Sequence, residues 1–371
     1  MKKPDTTASH AASNSTEMTL RRDYQKYSRR KLLLILLMLI VFAGLFVTGL
    51  SFGGASYSIG ESWGALTSGI TNKDPANVRQ SIIWTLRVPR VLMGAVCGCG
   101  LGVAGLIMQT ILRNPLASPY TLGISAAASF GASLSIVSRT SILLMFIPAA
   151  INYDVMIISN SFFFTTLCTF LIYFLSRLRK VTAETILLFG VAMMYVFEAA
   201  TSFMQFLGNP EELAELVYWM FGSMSKASWS KFYITLIAIV ICLLIAYRNA
   251  WNFNSLMMGD ESAQSSGVHV ERLRIIGLLI SSFITSVVVS LLGPIGFIGL
   301  VAPHIGRMLV GSDHRFLIPV TCLAGSILLI FADTLSNILL APVILPVGIT
   351  TSFVGVPLLI YLIMKRRKEH W

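Results

Sequence analysis

Side chains that could relay a proton, hold a metal or cut a bond are scarce in this 371-residue chain. Glu198, Asp333 and His304 fall inside apolar runs, with Asp154 and Glu184 near the ends of such runs. A carrier driven by protons places several carboxylates or histidines at mid-depth in the membrane, and three scattered groups make a poor relay. His304 stands one helical turn from Arg307 with no second histidine nearby. A metal centre needs several convergent donors, so a hydrogen bond at a helix end is the simpler role. The five cysteines (Cys97, Cys99, Cys168, Cys242, Cys322) lie in apolar runs and form no C-x-x-C pair, which reads as buried thiols without a metal or disulfide framework. No G-x-x-x-x-G-K-[ST] or HExxH segment occurs. The chain therefore lacks a phosphate-binding loop and that metallohydrolase signature. The expectation is a conduit, not an enzyme, with no cofactor and with its energy supplied from outside.

The elements that must position these groups are membrane helices. Hydrophobic residues make up 55% of the chain, charged residues 12%, and the mean hydropathy is +0.75. Soluble domains carry about twice that charge. Runs long enough to cross about 30 Å of hydrocarbon fall at 32–52, 90–112, 120–138, 154–176, 184–207, 232–247, 275–292, 295–311, 317–337 and 346–364. The expected architecture is all-α, with a ten-helix transmembrane domain over 32–368 preceded by a disordered basic leader over 1–31. An apolar stretch at 141–151 is a candidate re-entrant or interfacial piece. With the N-terminus in the cytoplasm, ten crossings return the C-terminus there. Inner loops and ends then hold 21 of the 28 Lys and Arg, as the positive-inside bias requires. The net charge of +11 is thus a topology signal; without aromatic interleaving it does not point to nucleic acid.

Glycine marks two further features. Gly94, Gly98 and Gly102 recur every four residues, on one helix face, where they permit close helix packing. The run Gly293–Arg315, GPIGFIGLVAPHIGRMLVGSDHR, is apolar yet carries five glycines and two prolines. Such backbone is tolerated at membrane depth only where protein or a cavity satisfies it.

Four blocks together resemble the FecCD-type permeases of ATP-binding-cassette importers for iron–siderophore, haem or cobalamin. They are LRVPRVLMGAVCGCGLGVAGLIMQTILRNPLASPYTLGIS (Leu86–Ser125), YWMFGSMSKASW (Tyr218–Trp229), MGDESAQSSGVHVERLR (Met258–Arg274), and the Gly293–Arg315 run with the later LPVGITTSFVGVPLLIYL. The similarity runs in order from about residue 32 to 368. It implies two ATPase subunits, an extracytoplasmic substrate-binding protein, a second permease copy or a related chain, and a lipid membrane at the cell boundary of a prokaryote, crossed many times.

The resemblance also assigns residues. Gly259, Asp260, Glu261, Ala263 and Gly267 become a loop that docks on the ATPase, with Ala263 giving a small face for the partner; the plain alternative is a solvated loop. Asp260 and Glu261 would favour the positive end of a short helix, and Gly267 would close it. Arg87 and Arg90, at the outer end of the second span, become receptors for binding-protein glutamates, or else head-group anchors. Asn337 and Ile344 stand where the family commonly has an arginine and an acid. The fifth and tenth spans become the pathway, with Glu198 and Gln205 as lining candidates. The rival from another class is an ion-coupled secondary transporter.

Overall fold

A computed structural model describes residues 31–53, 57–71, 77–142, 152–179 and 181–365. Among them there are helices and no strands. In order these are α1 (Lys31–Ser51), α2 (Ile59–Thr71), α3 (Val78–Ile111), α4 (Ile124–Ser138), α5 (Tyr153–Arg179), α6 (Ala183–Leu207), α7 (Pro210–Met220), α8 (Trp229–Arg248), α9 (Ala250–Met257), α10 (Asp260–Ser265), α11 (Val270–Leu292), α12 (Ile298–Val310), α13 (His314–Ile338) and α14 (Val347–Lys365). Seven of them, α1, α3, α5, α6, α8, α11 and α13, are long and apolar enough to cross a membrane; α4, α12 and α14 are shorter apolar helices. These ten follow the ten apolar runs in order. The leader up to residue 30 and most of the 141–151 stretch lie outside the described residues.

The helix α3 is the central column. Its most apolar window is 83% buried, against 6% for α1. The glycine stripe explains how neighbours reach it. A Cβ on Gly98 would run into the carbonyl of Gly325, one on Gly325 into the carbonyl of Gly98, and one on Gly105 into that of Gly299. Backbone therefore touches backbone where α3 meets α12 and α13, the close approach that small residues permit in membranes. The second apolar run was placed at 90–112, but α3 starts twelve residues earlier and passes through a π-helical turn at Ile83–Arg87. At 1.5 Å per residue α3 is about 50 Å long, more than the membrane needs. Its outer turns carry Arg79, Gln80 and Arg87, which the 90–112 window leaves out.

The irregular run resolves into a turn at 293–297 and α12 beyond it. Gly293 (φ 81°) and Phe297 (φ 65°) adopt left-handed backbone. Its freed polar groups are met by neighbours. The Tyr120 hydroxyl donates to the Ile295 carbonyl and accepts from the Ile295 N–H at 2.7 Å, and the Ser223 N–H donates to the Leu292 carbonyl at 2.8 Å. The turn thus has the protein-satisfied character required of non-helical backbone at depth. The end bearing Asp260 and Asp313 is termed inner, after the expected topology.

Candidate functional site

Three sites emerge: a chamber, an inner fastening and an outer pocket. The chamber consists of two adjoining cavities of about 700 and 470 Å³ that share Tyr120, Ser125, Met220 and Pro294. The larger is walled by the first turns of α14, with Gly348, Ser352 and Phe353. The smaller is walled by α6, with Met194, Glu198, Ser202 and Gln205. Both sequence candidates for the pathway therefore line one cavity, on the fifth of the ten apolar helices, and the tenth lines its neighbour. The turn before α12 also contributes, through Pro294 and Gly296. That turn is thus part of the chamber wall. The capped helix α7 borders both cavities through Met220: Asn209 accepts from the Glu212 N–H at 2.9 Å while the Glu212 carboxylate accepts from the Asn209 N–H at 3.0 Å, a reciprocal capping box.

The inner fastening is built around α10. Gly259 (φ 114°) precedes the helix, and Gly267 (φ 81°) ends it. The Gly267 N–H donates to Gln264 O at 2.9 Å and the Val268 N–H to Ala263 O at 3.0 Å, the paired bonds of a Schellman stop. Both glycines therefore play the structural parts expected of them. Glu261 points to solvent, but Ala263 is 0% exposed. Its small face is turned into the protein, so it is not the surface offered to a partner; one turn of helix cannot show which side faces out. Asp260 is not free either. It accepts from Arg274 Nη2 at 2.8 Å and lies 3.9 Å from Arg113 Nη1.

Arg274 is the centre of this arrangement, and its role was not read from the sequence. It is only 4% exposed, while its partner Asp260 is 39% exposed. Its Nε donates to the Ile111 carbonyl at 3.2 Å, at the last residue of α3. Its Nη1 donates to the Val181 carbonyl at 3.4 Å, one residue before Thr182, the N-cap of α6. One planar fork thus joins α10 to the end of α3 and the beginning of the chamber helix α6, a use to which guanidinium is suited and ammonium is not. The signal available beforehand was an arginine at the fifth position of a helix that carries no charged residue beyond it, which must find acceptors if buried.

A second inner cluster lies beside it. Asp313 caps α13 and takes paired bonds from Arg315, and the Arg315 guanidinium stacks 4.1 Å from the Trp251 ring centre. The Arg315 bonds, with help from Asn254, hold the Asp313 carboxyl down at about 2, so this pair stays ionised at neutral pH. Asn254 also takes the His314 N–H at 2.8 Å, and the His314 ring lies 2.8 Å from the Thr110 hydroxyl. Farther in, Arg307 bonds to Gln109 at 2.5 Å, a partner for the basic group of the His304–Arg307 pair. Among the described residues no three His, Cys, Asp or Glu converge as a metal site would need.

The outer pocket corrects the expectation for Arg87 and Arg90. They sit within α3, not at its end, and are drawn inward. Arg87 is 7% exposed, donates to the carbonyls of Leu50 and Ser51 at 2.7 and 2.9 Å, and lies over the Tyr57 ring. Arg90 forms a paired contact with Asp333, with bonds at 2.7 and 2.9 Å. Asp333, noted only as an intramembrane acid, thereby gains a counter-ion from a helix 243 residues away in sequence. Both arginines, Asn337 and Ile344 border one cavity of about 350 Å³. The four positions singled out for binding-protein contact are therefore neighbours, although the guanidinium groups are already engaged. Asn337 donates to Asp333 O at 2.9 Å, while its Oδ1 is buried without a partner.

Comparison with known proteins gives a consistent picture. The pattern of the FecCD transport family matches residues 36–365. An ABC transporter permease protein of Methanocaldococcus jannaschii is 39% identical over 95% of this chain and 100% of its own length. The hemin transport system permease protein HmuU of Yersinia pestis is 37% identical over 77% of this chain and 84% of its own. A solved chain, described as an inward-facing metal-chelate type ABC transporter, superposes with a TM-score of 0.78 at 26% identity, covering 90% of this chain and 99% of that one.

Proposed function

Since the chain belongs to the FecCD transport family and is an ABC importer permease of that type, we propose that it carries an iron–siderophore complex, or a related chelate such as haem or cobalamin, through the α6–α14 chamber. In this reading both termini are cytoplasmic, two ATPase subunits act at the inner end, and an external binding protein delivers cargo at the outer one. The permease half pairs with a second copy or a related chain. Closure of the ATPases would displace α10, and Arg274 would carry that displacement to the start of α6. The observation that supports this most is that fork: a half-exposed inner helix is tied, through a buried guanidinium, to a helix lining the chamber.

The partner-facing side of α10 supplies the first test. Glu261 is exposed and takes no part in the fork, so Glu261→Arg should leave the fold intact and damage ATPase contact. Uptake in vesicles holding the full transporter is expected to fall at least tenfold, with the chain still monodisperse and thermally unchanged. Undiminished uptake would remove α10 from the proposed ATPase interface.

A further inference from the structure

The geometry points to a charge filter: the chamber admits neutral or cationic chelates bearing N–H or O–H groups and turns away polyanionic ones, with Glu198 as the specificity-determining residue. This rests on the chamber being the cargo route. Among the described residues lining the two cavities, Glu198 is the one carboxylic side chain, and no Lys, Arg or His borders either space.

The neutral polar groups lean the same way. A hydroxyl has one proton to donate and two lone pairs. The Thr201 hydroxyl gives its proton to Phe197 O at 2.8 Å, Ser202 to Glu198 O at 3.0 Å, and Ser352 to Gly348 O at 2.8 Å. Tyr120 gives its proton to Ile295 O. Serine and threonine in helices commonly bond backward in this manner, and the consequence here is that these hydroxyls have no proton left for a cargo, Tyr120 accepting the Ile295 N–H besides. What remains to donate is neutral: the Gln205 amide and the hydroxyls of Ser125 and Ser129. A carboxylate beside a wall of acceptors suits a cargo rich in donors or carrying positive charge. An anion would lose its water shell there and find no cationic group to replace it.

The filter predicts a ratio. Transporter complete with ATPase and binding protein would be placed in proteoliposomes and given radio-iron chelates of similar size: a trihydroxamate of charge +1, a neutral trihydroxamate, and a tris-catecholate of charge −3. Because every sample uses the same binding protein, its own preference cancels when variants are compared with wild type. Glu198→Gln should lower the cationic-to-anionic flux ratio at least threefold, and Glu198→Lys at least tenfold, with flux of the neutral chelate within twofold of wild type. Ratios unchanged in both variants, with flux preserved, would overturn the filter and leave the transport function standing. Absence of flux for all three chelates in the wild type would overturn the cargo-route reading and the filter with it.

Discussion

An Arg274→Lys transporter should continue to hydrolyse ATP while importing almost nothing. The ammonium of lysine is a point charge on a flexible stem and cannot hold three acceptors in one plane. Arg274 now serves Asp260, Ile111 and Val181 together, and lysine would keep the contact with Asp260 and release at least one backbone carbonyl. A buried acceptor left unmet costs about 1–3 kcal/mol, which a domain stable by roughly 5–15 kcal/mol withstands. Uptake per ATP hydrolysed is expected to drop tenfold or more, equivalent to about 1.4 kcal/mol of coupling between the ATPases and the chamber. Asp260→Asn cuts the same fork from its exposed side, so it should reproduce the uncoupling with less effect on stability. ATPase rate and uptake measured on the same vesicles provide the check. If both fall together in both variants, Arg274 is a fold residue and α10 speaks to the chamber by another route.

The second large effect concerns three glycines that look equivalent in sequence. Gly98→Ala should unfold or disassemble the bundle, whereas Gly94→Ala should be silent. At Gly94 an added Cβ meets Ile330 Cγ1 at 3.6 Å and Met224 Cε at 3.7 Å, ordinary contacts. At Gly98 it meets the main-chain carbonyl of Gly325, and the reciprocal clash exists at Gly325. Overpacking against movable side chains costs about 1–3 kcal/mol; here backbone on both sides would have to separate, so the loss should exceed that range. Gly102 is intermediate, with Thr321 O at 3.0 Å. Gel filtration and thermal melting in detergent rank the three variants. Equal behaviour of Gly94→Ala and Gly98→Ala would show that the α3–α13 contact is looser than described.

These two cases also show what was legible in the residues and what was not. Hydropathy located all ten apolar helices, because hydrocarbon demands long runs and tolerates little else. It missed α2 and α9, which are short and amphipathic and lie in polar segments. It also shortened α3 by the turns that carry Arg79 and Arg87. The period of four found the glycine face but could not say which glycine meets backbone, since that depends on residues more than two hundred positions away. Glu198 and Gln205, named from the resemblance, border one cavity. Ala263 was read as a small face for a partner and is buried, and Arg87 and Arg90 were placed at the outer end of a span and lie within a longer helix. In each case the missing knowledge was a tertiary partner: Asp333 for Arg90, the Leu50 and Ser51 carbonyls for Arg87, the body of the bundle for Ala263.

The central claim is that this chain moves cargo with energy delivered through α10, not with an ion gradient of its own. It is tested most directly in proteoliposomes containing the chain, its ATPase subunits and its binding protein, loaded with ATP or with a proton or sodium gradient in separate samples. The account predicts chelate accumulation with internal ATP, none with either gradient alone, and loss of the ATP-driven signal in Arg274→Lys. Accumulation by the chain alone under an ion gradient would contradict it.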